Sequence, residues 1–405
     1  MSVSAGPATG GGRAWHVPMR GRDRTEPHRA STPLELLFDL SFVVAVAAAA
    51  GALHHDLAHG EIAHGVVSFL VVFFTIWWPW VNFSWFASAY DTDDVLYRLL
   101  TFVQIAGVLV VTAGVRAVFE DLDFTIAVVG YVIMRIALVL QWLRAAAEDP
   151  GGRAVALRFA LGITVVQLLW VVRLAVGPPW GYAAIILLGA CELLIPVWAE
   201  RSGRQTPWHA AHIAERYGLF TIIVLGECIL AATTAIEAAA SQGGVTVELV
   251  TIAIGGLVLV FALWWAYFKQ RGAIDEALSL KAAIAWGYGH YFVFAAVAAL
   301  GAGLQVATDA ILDAAEIGPV AVALTVAVPV VIYLVAVALL HRVPLTGRFA
   351  GPILGASVAI VVAALAAPAI GVPLAILAMA GIAAGLVAVS VATLARGTDL
   401  TPTDA

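Results

Sequence analysis

Apolar residues in this chain arrive in long unbroken blocks separated by short polar turns, with none of the strict alternation of a half-buried strand. Twelve blocks approach the roughly 20 residues needed to cross a bilayer. They cover 34–53, 64–86, 96–115, 124–143, 155–175, 181–199, 211–235, 247–268, 281–305, 317–340, 349–366 and 371–394. Lipid offers the backbone no hydrogen-bond partner, so each block is predicted to be an α-helix. The last two are rich in alanine and interrupted by Pro368 and Pro373, which leaves eleven spans or a re-entrant pair as alternatives. Residues 1–33 hold Gly, Pro, Arg and His without an apolar core and read as a disordered basic tail. The expected fold is all-α, a polytopic membrane helix bundle of about 12 transmembrane helices. Its units are a first six-helix half over 34–199, a second over 200–394, and a short tail at 395–405.

Composition agrees with the pattern. Apolar residues make up 62% and charged residues 12%, against roughly 45–50% and 25% in a soluble domain. Threading the spans from a cytoplasmic N-terminus puts eighteen Arg and Lys residues on the inside, two (Arg116 and Arg173) outside, and Arg135 within a span. Cytoplasmic loops hold the basic excess, so both termini are expected inside and the protein in a bacterial inner membrane. The net charge of −6, with no basic stripe beyond the tail, excludes nucleic acid as a partner. Cys191 and Cys228 lie in apolar blocks at different depths, as reduced core residues.

The two halves echo one another. Trp77-Trp78 in the second block is matched by Trp264-Trp265 in the eighth, and blocks three and nine both finish in small residues, VVTAGV and AALGAGL. Six helices per half preserve orientation, which points to a parallel 6+6 repeat about an axis along the membrane normal.

Ionisable side chains inside the spans carry the chemistry, because each is costly in hydrocarbon and turns toward a partner or a water-filled cavity. Arg135 must face an acid, with Glu35, Asp39, Glu192 and Glu227 as candidates. Glu35 and Asp39 are four residues apart and share one helix face, about 6 Å apart along the axis. Glu215 and His212 share a face at the start of block seven, with Arg216 beside them. Two roles fit these groups: a protonatable or substrate-contacting pathway, or an ion-pair network that holds helices together. His290, in the small-residue context GYGHYF, is expected to be a neutral histidine bonded to a neighbouring helix, with proton relay as the alternative. Asp91, Asp93, Asp94 and Arg98 form an acidic turn that suits helix capping, a gating latch or a cation-attracting mouth. In the stretch HHDLAHGEIAH, His54, His55, Asp56, His59, Glu61 and His64 have some metal-like spacing, but no second ligand cluster supports a metal site, and none is assigned.

No Walker A, HExxH, GxSxG or GxGxxG motif occurs, and no lysine lies mid-span to carry a Schiff base. These absences weigh against an enzyme, and no cofactor is expected. The segments STPLELLFDLSFVVAV, FTIWWPW, YDTDDVLYRLLTF and ERYGLFTIIVLGECI together resemble the bacterial low temperature requirement protein A family, from about residue 31 through the ninth block. The resemblance implies a multi-pass inner-membrane protein linked by the family's name to growth in the cold, in a family without an established activity. It draws attention to Glu35, Phe38 and Asp39; to Trp77 and Trp78; to Asp91, Asp93, Asp94 and Arg98; and to Glu215, Arg216, Gly218 and Glu227. Cys228 departs from the serine more usual there. The leading expectation is a secondary transporter or permease, open to proton coupling, whose partners are membrane lipids and an unknown small solute or proton. Its pathway would bring Glu35, Asp39, Glu192 and Glu227 together around Arg135. The alternative is a membrane-embedded enzyme or lipid-handling protein of cold adaptation, with its acid pair facing a lipid-open cleft.

Overall fold

A computed structural model describes residues 15–23, 30–202, 205–241, 244, 246–269, 279–341 and 350–398. Residues 1–14, 24–29 and 399–405 of the expected tails, and Arg204, Arg271, Arg342 and Arg348 of the basic count, lie outside the described residues. The described chain is all helical. In order the helices are α1 (Pro33–Ala58), α2 (Ile62–Tyr90), α3 (Val95–Asp121), α4 (Thr125–Glu148), α5 (Arg153–Arg173), α6 (Trp180–Ala199) and α7 (Ala210–Ser241). There follow α8 (Val247–Phe268), α9 (Leu280–Ile311), α10 (Pro319–Leu340), α11 (Ala350–Leu365), α12 (Ala367–Ile370) and α13 (Val372–Thr398). Among the described residues ten of these helices are long and apolar enough to cross a membrane, against the twelve blocks expected. The two blocks not among the ten are 211–235, in α7, and 349–366, in α11. α11 has only 16 residues, or about 24 Å of rise, and the chain then makes the single turn α12 before Gly371, whose φ of +87° ends it. α7 is long, 32 residues, and carries Glu215, Arg216 and Glu227.

Leu36, Leu37, Leu40, Val67, Leu168, Ile186 and many other large apolar side chains point outward, as they would toward lipid. α9 is the central helix: 78% of its most apolar window is buried, more than in any other candidate span, while α6 at 22% lies at the rim. α1 and α2 meet α7 and α9, and this contact joins the N-terminal helices to the C-terminal ones.

Glycine sets the closest crossings. A Cβ on Gly107 would lie 2.8 Å from the carbonyl oxygen of Gly130, and one on Gly114 would lie 2.6 Å from the amide of Ala127, so α3 and α4 touch backbone to backbone. Gly303 does the same for α9 and α10 against the Thr325 carbonyl. Helices in lipid lack a hydrophobic drive to associate, so such small-residue contacts supply the packing.

The N-terminal segment departs from the expected free tail where it is described. Residues 15–23 lie across the end of the bundle where α2 ends and α3 begins. The Val17 amide donates to Asp94 at 2.8 Å, the Met19 amide to Glu148 at 2.5 Å and the Arg22 amide to the Ala89 carbonyl at 3.0 Å. The Met19 side chain is fully buried. Sequence reasoning did not single out Arg144 or Glu148, the receptors for this segment, although their i, i+4 spacing at a helix end was visible.

Candidate functional site

Two clusters hold Glu35, Asp39, Arg216, Arg135 and Glu192, buried charges of the spans. In the first, Glu35 sits in the opening turn of α1, where Thr32 caps the helix: the Thr32 hydroxyl accepts from the Glu35 amide and the Thr32 amide donates to Glu35 Oε2 at 2.8 Å. One turn on, Asp39 faces the same way, as its four-residue spacing requires. α7 supplies the countercharges. Arg216 forks onto both oxygens of Asp39 and reaches Glu35 at 3.9 Å, and His212 lies 3.3 Å from Glu35. From α2, Trp80 donates its indole N–H to Asp39 at 2.7 Å. Glu35, Asp39, His212 and Arg216 are all fully buried, roofed by Phe38 and Phe83 about 6 Å from the guanidinium. An acid pair sealed in this way has no lipid-open cleft, contrary to what the lipid-handling alternative requires.

The second cluster centres on Glu192 of α6. Oε2 accepts from Trp78 of α2 at 2.9 Å and from Arg135 of α4 at 3.2 Å; Oε1 accepts from Tyr131 of α4 at 3.0 Å and Gln167 of α5 at 2.9 Å. A single carboxylate therefore ties α6 to three helices. Arg135 also lies over the Tyr131 ring at 4.7 Å, and its Nε and Nη1 are buried without a hydrogen-bond partner among the described residues. Among the four acids expected around Arg135, only Glu192 pairs with it. The expected convergence of five groups on one site is not found: Glu35 and Asp39 take Arg216 instead, because α1 packs against α7. Gln167, a polar amide inside an apolar block, is a member of this cluster that its setting could have signalled; Gln104 and Gln141, likewise amides inside apolar blocks, bond to each other at 3.0 Å between α3 and α4.

Glu227 stands apart from both clusters. It is nearly buried in α7, one residue before Cys228, whose thiol donates to the Val297 carbonyl at 3.2 Å; Glu227 itself has no ion pair or hydrogen bond among the described residues. His290 follows the expected structural role. Its Nδ1 faces the Trp286 carbonyl at 2.8 Å, so that nitrogen carries the proton and Nε2 accepts from Tyr267 of α8 at 2.9 Å.

The acidic turn is fully committed. Asp91 accepts from the Asp93 amide, Asp93 receives Arg98 through two bonds of 2.8 Å, and Asp94 caps α3 through the Tyr97 amide while holding Arg144 and the Val17 amide. Burial alone would raise the Asp94 carboxyl, but Arg144 and the two amides outweigh it and hold the group down to about 2. Glu215 accepts from the Ser31 amide at 3.1 Å. Gly218 gives room to Phe268, 3.2 Å from where a Cβ would stand. The histidines at the opposite end separate into pairs, His54 with Asp309 at 2.6 Å and His64 with Asp56 at 2.9 Å, and no three ligand-type groups converge among the described residues.

Next to the Glu192 cluster lies a chamber of about 50 Å³. Three aromatic pairs wall it: Trp142 stacked on Phe159 at 4.3 Å, Trp85 edge-on to Trp208 at 4.9 Å, and Trp78 edge-on to Tyr288 at 5.3 Å. Asn82, Glu200 and Thr206 add polar groups at the end of the bundle that holds the N-terminal segment. Trp78 connects chamber and cluster, since its ring lines the one and its N–H binds the acid of the other. At about 10–15 Å³ per water the space holds a few water molecules.

Two comparisons with known proteins bear on identity. Over 272 residues the chain is 25% identical to an uncharacterized protein of Rhizobium meliloti (strain 1021), covering 65% of this chain and 64% of that relative, so the match spans less than two thirds of the relative's length. Residues 30–392 match the family described as Bacterial low temperature requirement A protein, which extends the likeness past the ninth block into the C-terminal helices. The chain belongs to the bacterial low temperature requirement A (LtrA) family.

Proposed function

We propose that this chain is a permease-like secondary transporter built from two parallel six-helix halves, with its substrate site in the aromatic chamber between α2 and α6. The chamber is the observation that carries the proposal. Neighbour relations support the repeat. α1 packs on α2 and α3, α3 on α4, α4 on α5 and α5 on α6; likewise α7 packs on α8 and α9, α9 on α10, α10 on α11 and α11 on α13. The glycine crossings of α3 with α4 and of α9 with α10 occupy equivalent places, as the small-residue endings of blocks three and nine suggest. The tryptophan echo is weaker support: Trp77 and Trp78 are buried, whereas Trp264 and Trp265 are 45% and 51% exposed and suit an interfacial belt.

The halves differ at one junction. α8 packs extensively on α13, while α2 and α6, in the matching positions, stand apart and are bridged by the bond from Trp78 to Glu192. The chamber occupies that opening. On this reading α11, α12 and α7 complete twelve membrane passages, and the basic end carrying both termini faces the cytoplasm. Glu227, the span acid without a partner among the described residues, is the proton-exchanging group. The Glu35–Asp39–Arg216 and Arg135–Glu192 clusters fix the helices around the path. Reconstitution into proteoliposomes with an imposed pH gradient tests the proposal. Uptake of at least one solute from a panel of small cations, anions and neutral compounds is expected; no flux of any member and no proton movement would overturn it.

A further inference from the structure

We propose that the chamber between α2 and α6 takes a small organic ammonium ion. The inference rests on the reading of that chamber as a ligand site and adds the ligand's class. Four of the chain's 13 tryptophans line it, together with Phe159 and Tyr288. Aromatic rings present a negative face, and a cation enclosed by several of them is attracted to each. Among the described residues the lining holds no Lys, Arg or His; its one carboxylate is Glu200, which is nearly buried. Behind Trp78 stands a second carboxylate, Glu192, whose charge is matched by Arg135. Among the described lining residues an anion would meet no positive group.

Other occupants fit less well. A hard metal cation needs six or more oxygens, and among the polar lining groups Glu200 already accepts from both the amide and the hydroxyl of Thr206, while Asn82 donates to the Trp78 carbonyl. An acyl chain would set hydrocarbon against the Glu200 carboxylate, and desolvating a charge without a countercharge is costly. A methylated ammonium resolves both difficulties: its methyl groups are large and weakly hydrated, they fill the angles between three aromatic pairs, and its charge lies within reach of Glu200. A space of about 50 Å³, a few waters by the same measure, limits the ligand to one cationic head with a short arm. The ring pairs come from α2, α4, α5, α9 and the turn before α7, so closing them around a ligand would draw the N-terminal and C-terminal helices together.

The experiment uses the purified full chain in detergent and isothermal titration with choline and with its uncharged carbon isostere, 3,3-dimethylbutan-1-ol. Choline is expected to bind saturably, the isostere at least about tenfold more weakly, and Trp208→Leu and Glu200→Gln are each expected to weaken choline by about tenfold. That factor corresponds to about 1.4 kcal/mol. Equal binding of choline and the isostere, lost in Trp208→Leu, would overturn the cationic class and leave the chamber as a ligand site. Choline binding unchanged by either variant would overturn the chamber as the site of binding. No choline binding at all would overturn the proposal, and the proteoliposome panel would then judge the transporter reading by itself. Should a variant fail to fold, the comparison of choline with the isostere on the unaltered chain still decides the class.

Discussion

Replacing Glu192 by leucine removes one carboxylate and affects four helices. Arg135 is buried at 1% exposure with Glu192 as its acid, so the single substitution strands a guanidinium in a low-dielectric interior. Breaking a buried pair in this way costs about 3–5 kcal/mol. The indole of Trp78, the phenol of Tyr131 and the amide of Gln167 lose an acceptor at the same time, and a net 1 kcal/mol or so for each would be an upper bound, since the losses overlap. Arg135→Met alone leaves an unpaired carboxylate with three neutral donors, at a similar cost of about 3 kcal/mol. The double variant Glu192→Leu/Arg135→Met removes both charges, and an apolar pair of similar volume is often near neutral, so its cost should fall to about 1–2 kcal/mol. Unfolding of the purified chain, followed by steric trapping or by titration with a denaturing detergent, measures the cycle. A coupling of about 4–7 kcal/mol is expected. If the two single losses simply add, the pair is not an isolated unit and the geometry around Glu192 has been misjudged.

Three further outcomes follow from the ends and the middle of the bundle. Because Asp94 is held down to about 2 from its ordinary value of 3.8, its contribution is complete above the ordinary value and is lost as pH falls toward about 2. Hydrogen exchange, corrected for its intrinsic pH dependence, should find the Val17 and Met19 amides protected at about pH 6 and open at about pH 2; Asp94→Asn should open them at about pH 6, and protection retained in that variant would contradict the latch. In α7, Glu227→Gln should remove the dependence of uptake on the pH gradient while changing stability by less than about 1 kcal/mol, because no partner among the described residues is lost. Asp39→Asn, which leaves Arg216 without its fork, should cost about 3 kcal/mol or more; equal effects of the two would refute the distinction between them.

Much of the helical order was legible from block length and lipid's demand on the backbone, and α1, α2 and α4 fall where their blocks lie. The block over 349–366 forms a helix of only 16 residues followed by a turn at Gly371, within the alternatives that the interruptions at Pro368 and Pro373 leave open; hydropathy counts apolar residues and not where the chain turns. Local spacing placed Glu35 and Asp39 on one face and Arg216 beside His212, but nothing local says that α1 packs on α7. Arg135 therefore drew four candidate acids when the fold gives it one. The chamber was invisible for the same reason: its six rings come from positions between 78 and 288, and each alone reads as an ordinary core or interfacial aromatic. The segment over 15–23 was read as free because it lacks an apolar core; what orders it is hydrogen bonding of its backbone to Asp94 and Glu148, which composition does not register.

On the transporter reading the gap between α2 and α6 is a hydrated vestibule open at the basic end. Cysteine placed at Asn82, in a chain whose native Cys191 and Cys228 are replaced by alanine, tests it directly with a charged, membrane-impermeant thiol reagent applied to right-side-out and inside-out vesicles. Reaction from the cytoplasmic face, slowed by a bound ligand, is the predicted result. No reaction from either face, or reaction from the outer face alone, would contradict it.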